Sequence, residues 1–239
     1  MKAHHALVAD VIPFSWVDGP GNRFVLFLQG CNFNCLACHN PQTIPLQTPR
    51  ATLYSVEDVL EKLRLSMPYI SGITISGGEA TLQHEFIFAL FGAIKSDPTL
   101  KNLTTFIDSN GNTDEEVWRL LSPVTDGVML DLKVLDEAKH HELTGSTNEK
   151  VLASIKYLAQ QNQLFEVRLL LVPAQNDSDQ DLIATAKFLL EIDPHMRVKI
   201  NSFMTHGVRA SAREWSAVTP EELARYRGLL LEQGIEELV

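Results

Sequence analysis

Cys31, Cys35 and Cys38 are the only cysteines in the sequence, and they form the pattern CxxxCxxC. Odd in number and crowded into one short stretch, they cannot build the disulfide framework of a secreted domain. Three thiolates at this spacing can instead wrap one soft metal centre and leave a coordination position open. An iron–sulfur cluster fits that description. Zinc with His39 or His5 as the fourth ligand is an alternative, although structural zinc sites ordinarily split their cysteines into CxxC pairs at two separate places. A metal-free cluster of thiols is the third reading, and buried structural cysteines have no physical reason to gather.

Four more groups of polar residues follow apolar runs. Ser76, Gly77, Gly78, Glu79 and Ala80 succeed GITI, and a glycine pair lets the backbone approach a ligand while the carboxylate receives a cation. Asp108, Ser109 and Asn110 succeed a third run, and Asp131 and Lys133 close VMLDLK. Each group by itself reads as a tight turn or a solvated strand end. Arg168 lies inside VRLLLVP, where alternation puts it on one face with Leu170 and Val172, so it requires an anion. His206 follows a sixth run.

The runs that carry these residues are 23–28, 72–75, 103–107, 127–132, 166–172 and 197–203, rich in β-branched and aromatic residues, with an earlier run at 6–12. Helical periodicity fills 55–65, 83–94, 114–121, 148–160, 178–191 and 219–233. Ser55 with Asp58, and Thr219 with Pro220 and Glu222, are N-terminal capping signals. Strand and helix alternating in this order require a parallel sheet covered on both faces. The chemistry-bearing residues fall after successive strands, as they do around the mouth of a barrel. About six βα units are too few to close an eight-unit ring. The expectation is an incomplete (β/α)6 TIM-like barrel with an extra N-terminal strand, formed as one domain by residues 1–239.

Composition narrows the function. The 20 basic and 30 acidic residues leave a net charge of −10, which repels phosphate backbones and makes nucleic acid an unsuitable partner. An apolar content of 45% with 21% charged residues is an ordinary globular mixture. Neither a membrane span nor an export signal is legible, so a cytoplasmic protein is expected.

The segment VDGPGNRFVLFLQGCNFNCLACHN, from Val17 through Arg23 and Gly30 to the cysteines, resembles the glycyl radical enzyme activases of the radical S-adenosylmethionine (SAM) superfamily. Their GxRxxxFxxxCxxxCxxC pattern is present in full, and the likeness continues to about Arg209. The resemblance implies a [4Fe-4S] cluster on Cys31, Cys35 and Cys38, whose fourth iron is chelated by the amino and carboxylate groups of SAM. It implies that Gly78 and Glu79 receive the methionine amino group, and that Ala37, Cys38, His39, Asp131, Leu132, Lys133 and Arg168 contact SAM. Direct alignment puts Met204 where the family has a histidine beside the nucleoside, and His206, two residues on, is the substitute for it. Asp108, Ser109, Met129 and Asp131 correspond to residues that hold a monovalent cation. Ala37 departs from the family's usual aromatic residue there, leaving Leu36 or Phe33 to cover part of the adenine. The activity implied is reductive cleavage of SAM, with the resulting radical taking hydrogen from a glycine of a partner glycyl radical enzyme. Electrons would come from flavodoxin or ferredoxin, and the chain would act as a monomer. A radical SAM enzyme acting on a small molecule, or a non-catalytic zinc or iron–sulfur scaffold, are the competing readings.

Overall fold

The computed structural model describes residues 4–239. By its contacts the chain divides into two compact units, the first made of Met1–Asn32, Gln42–Ser109 and Thr113–Met129, the second of Phe33–Pro41, Asn110–Asn112 and Leu130–Val239.

The first unit holds β1 (His5–Ser15), β2 (Arg23–Leu28), β3 (Thr52–Ser55), α1 (Val56–Ser66), β4 (Gly72–Gly77), α2 (His84–Ser96), β5 (Thr104–Ser109), α3 (Glu115–Leu121) and the start of β6 (Gly127–Leu132). Strand β2 is buried at every position but Phe27, as expected of a strand covered on both faces. It pairs in parallel with β4 from Arg23 opposite Gly72 to Leu28 opposite Gly77, and β4 pairs in parallel with β5. β1 pairs antiparallel with both β2 and β3. The sequence leads to one extra N-terminal strand, and β3 is a second. Its TLYS has no buried position and becomes a strand only because β1 offers an edge. Ser55 then caps α1 in the expected capping box with Asp58, an arrangement worth about 1 kcal/mol.

Arg23 explains the arginine of the GxR segment. Its side chain is fully buried. Nε donates to Thr74 Oγ1 at 3.1 Å, Nη1 to Thr104 Oγ1 at 2.5 Å, and Nη2 to the carbonyls of Ile73 at 2.5 Å and Thr104 at 3.0 Å. The guanidinium also lies 4.7 Å from the ring centre of Phe106. Burial lowers its pKa to about 10, against the field of Asp126, so it stays charged at neutral pH. A buried cation satisfied by neutral oxygens staples the start of β2 to β4 and β5.

The second unit holds the end of β6, then α4 (Glu137–Thr144), α5 (Glu149–Gln160), β7 (Leu164–Leu171), α6 (Asp179–Ile192), β8 (Val198–Ser202) and α7 (Pro220–Glu232). β7 and β8 pair in parallel from Val167 opposite Val198 to Leu171 opposite Ser202. Thr219 and Glu222 form the capping box expected for α7. Helix α4 is absent from the sequence reading because EAKHHELT carries no apolar stripe. Asp136 caps its start and Gly145, at φ +77°, ends it. The hydrogen-bonded strand order is β3-β1-β2-β4-β5-β6-β7-β8, with β3 and β8 at the edges. This is the unclosed barrel sheet the sequence calls for. Among the described residues no helix is long and apolar enough to cross a membrane.

Candidate active site

In the first unit the candidate residues gather where β2, β4 and β5 end. Gly30 N–H donates to the Thr43 carbonyl at 2.8 Å and Cys31 N–H to that of Ile44 at 3.0 Å, which anchors the start of the cysteine loop. Gly78 N–H donates to Leu28 O at 3.0 Å and Glu79 N–H to Gly30 O at 2.8 Å. A Cβ built on Gly78 would stand 2.2 Å from that Gly30 oxygen and 2.7 Å from the Thr43 oxygen, so only glycine fits. Gly77, at φ +129°, makes the turn that permits this approach.

Glu79 is 1% exposed, and its Oε1 accepts from Thr81 N–H at 2.9 Å, Thr81 Oγ1 at 2.7 Å and Ser109 Oγ at 2.8 Å. Three donors on one oxygen fix the carboxyl group in one orientation. Ser76 Oγ donates to Asp108 at 2.8 Å. Met129 is fully buried on β6. The glycine–glutamate turn and the polar end of β5 are therefore one hydrogen-bonded group.

In the second unit, Cys35 and Cys38 lie near the pair formed by Lys133 Nζ and Asp131 at 2.7 Å. Burial pushes both thiols above their usual pKa, and the charge of Lys133 opposes the shift. Burial also works against the ammonium of Lys133, but Asp131 and the neighbouring cysteines outweigh it and the pKa is raised. Thiols kept neutral in this way lose their protons when a soft metal binds. Leu132, between the two charged residues, is buried.

The loop is held from both sides. Asn34 N–H and Leu36 N–H donate to the carbonyls of Thr144 and Leu143, at 2.8 and 2.9 Å, on the last turn of α4. Arg209 Nη1 donates to Asn34 O at 2.9 Å, Asn34 Oδ1 at 2.6 Å and Cys35 O at 3.2 Å. Ala37 packs with Val172, Phe203, Val208 and Ala212. Neither α4 nor Arg209 was foreseen as a support, since neither carries a ligand pattern.

The side-chain contacts add detail for four of the residues singled out in the sequence. Phe33, one candidate for covering the adenine, is buried edge-on against His140 with ring centres 5.5 Å apart. His39, the fourth ligand of the zinc alternative, donates Nε2–H to the Met204 carbonyl at 2.8 Å, and His206 is exposed. The anion that Arg168 requires is supplied from within, by Glu166 two residues earlier on the same face, with Nε 2.9 Å from Oε1. The period-two spacing of Glu166 and Arg168 was the available signal for that pair.

Among the described residues no three His, Cys, Asp or Glu side chains gather around a point for a single metal ion. A cubane cluster places each thiolate on a different iron, so its ligands need not converge. Three thiols on one anchored loop, with a lysine beside two of them, are a donor set suited to such a cluster.

This scaffold and its loops define a class. The family model of the Radical SAM superfamily matches residues 25–189. The pyruvate formate-lyase-activating enzyme of Streptococcus mutans is 38% identical over 206 residues, covering 84% of this chain and 78% of that protein. The enzyme of the same name from Staphylococcus aureus USA300 is 31% identical over 226 residues, covering 88% and 90%. Among solved structures, a radical SAM methyltransferase from Sphaerobacter thermophilus superposes with a TM-score of 0.69 at 16% identity, over 91% of this chain and 65% of that one. A domain of a pyruvate-formate lyase-activating enzyme from Bacteroides vulgatus gives 0.59 at 19% identity, over 71% and 98%. At such identities the structural likeness is one of fold. The chain belongs to the Radical SAM superfamily and, within it, to the activating enzymes of glycyl radical enzymes. Membership implies a [4Fe-4S] cluster and SAM as its cofactors.

Proposed function

We propose that this chain generates a glycyl radical on a partner glycyl radical enzyme. The observation that carries the reading is the anchored three-cysteine loop with Lys133 beside Cys35 and Cys38. Three protein ligands leave one cluster position open, and an adjacent cation suits an anionic chelator there. When bound, cluster and SAM together supply a 5′-deoxyadenosyl radical able to take a hydrogen atom from glycine, with methionine as the other product.

The chain's own residues orient and shield that chemistry. Cys31, Cys35 and Cys38 hold the cluster. Gly78 brings backbone close to the ligand, and Glu79, held in one orientation by its three donors, receives the methionine ammonium. Lys133 offers a point charge and Arg168 a planar fork to the methionine carboxylate. Asp131 orients Lys133, and Asp108, Ser109, Met129 and Asp131 are the residues proposed for a monovalent cation. Ala37, Cys38, His39, Leu132 and His206 line the remainder of the SAM site. The electron comes from a separate carrier such as flavodoxin or ferredoxin.

Anaerobic incubation with a partner enzyme is expected to give a glycyl radical by electron paramagnetic resonance and about one 5′-deoxyadenosine per radical formed. Continued turnover of a small molecule with no protein radical would overturn the reading. Arg168→Leu is expected to weaken SAM binding about tenfold, roughly 1.4 kcal/mol, at unchanged iron content. Equilibrium dialysis alongside iron analysis checks it. Iron lost in proportion to affinity would make Arg168 structural.

A further inference from the structure

Arg209 lies across the turn between Cys35 and Cys38. Its Nη1 donates to Asn34 O at 2.9 Å, to Asn34 Oδ1 at 2.6 Å and to Cys35 O at 3.2 Å. Cys35 O also accepts the N–H of Cys38 at 3.4 Å, the bond that closes the turn. The guanidinium therefore sits on the carbonyl that sets the spacing of two of the three thiols. The segment after β8 brings it there, because Phe203, Val208 and Ala212 are buried against Ala37 and Val172. His39 ties the far end of the loop to the same segment, with Nε2 2.8 Å from Met204 O.

The same contact places charge beside the loop. All three acceptors of Arg209 are neutral oxygens, and a guanidinium stays protonated in proteins, so no bonded carboxylate cancels it. Lys133, the other cation near these thiols, is paired with Asp131 at 2.7 Å. At Cys38, burial raises the thiol's pKa, and a main-chain bond at Asn40, Lys133 and Arg209 oppose it. The field of Arg209 thus reaches a sulfur assigned to the cluster. An added electron puts negative charge on a site that three thiolates already make anionic, and a fixed cation favours that change. Arg209 is half-buried, so its field is partly screened and tunes the site.

We propose that Arg209 is a positioning residue which fixes the Cys35–Cys38 turn and, through its charge, raises the reduction potential of the cluster held there. This rests on the reading of Cys31, Cys35 and Cys38 as the cluster ligands. Two substitutions separate geometry from charge. Arg209→Gln removes the charge and keeps an amide donor, whereas Arg209→Lys keeps the charge and loses the planar fork.

Both variants and the parent are reconstituted anaerobically with iron and sulfide, and a redox titration without SAM is followed by electron paramagnetic resonance. Arg209→Gln is expected to disfavour the reduced cluster about fivefold, roughly 40 mV at about 59 mV per tenfold for one electron, with iron content unchanged. Arg209→Lys should stay within about twofold of the parent. In the iron-free proteins the amides of Leu36 and Cys38 should exchange hydrogen several-fold faster in both variants, since neither side chain reproduces the fork. An unchanged potential in Arg209→Gln, an equal fall in both variants, iron lost in proportion from both, or unchanged exchange in both would overturn the proposal. Cys38→Ala is measured beside them: if it keeps the iron and signal of the parent, the reading of the cysteines itself fails. If it loses the cluster while Arg209→Gln keeps the parent's potential, only the role of Arg209 fails.

Discussion

Replacement of any one of Cys31, Cys35 or Cys38 by alanine is expected to reduce bound iron and SAM cleavage to background, with the fold intact. In the proposed assignment each thiol is one of three protein ligands, and the sequence contains no other cysteine to take its place. The fold should survive because the loop is anchored by main-chain bonds that a side-chain truncation does not touch, from Cys31 to Ile44, Asn34 to Thr144 and Leu36 to Leu143. All three thiols are also half-buried rather than core residues. The measurement is iron and sulfide content after anaerobic reconstitution, with circular dichroism as the check on folding. The parent should hold about four irons per chain. A variant that cleaves SAM at the parent rate would remove the cysteine assignment, and stoichiometric zinc in the parent would favour a scaffold.

Gly78→Ala is expected to cause the second largest effect, a loss of SAM binding of at least about tenfold together with lower thermal stability. The added methyl would meet Gly30 O at 2.2 Å, Gly30 C at 2.7 Å and Thr43 O at 2.7 Å. All three are main-chain atoms, so no side-chain rotation relieves the clash. Overpacking of this kind costs about 1–3 kcal/mol. The turn can escape only by moving away from Gly30, which breaks the bond from Glu79 N–H to the Gly30 carbonyl and displaces the carboxylate assigned to the methionine ammonium. Gly92→Ala serves as the control. It lies within α2 with nothing inside 4 Å of the added Cβ, so it should stabilise by up to about 1 kcal/mol and leave SAM affinity unchanged. SAM titration and thermal denaturation of both variants decide the matter. Equal behaviour of the two would show that the close approach at Gly78 does not matter for the ligand.

Much of the chemistry was legible in one dimension because it depends on residue type at short spacing. Three soft donors within one loop, a glycine pair followed by a carboxylate, and an aspartate and lysine at a strand end state their possibilities without knowledge of the fold. The parallel, unclosed sheet was legible for a related reason. Its strands are buried on both faces and so read as continuous apolar runs, and the caps at Ser55 and Thr219 are local hydrogen-bond patterns.

What only the tertiary structure decided is which distant groups meet. The edge strand β3 exists because β1 supplies hydrogen bonds, and α4 exists without an apolar stripe because its ends are capped and its last turn receives the cysteine loop. The sequence shows that Arg168 needs an anion. Whether that anion is a ligand or Glu166, and that Arg197, 31 residues after Glu166, shares the same carboxylate, depends on the register of β7 against β8. The support of Asn34 and Cys35 by Arg209 spans more than 170 residues in the same way. Such contacts arise from packing after chain reversal, and a side chain that serves another side chain carries no periodic or spacing signal of its own.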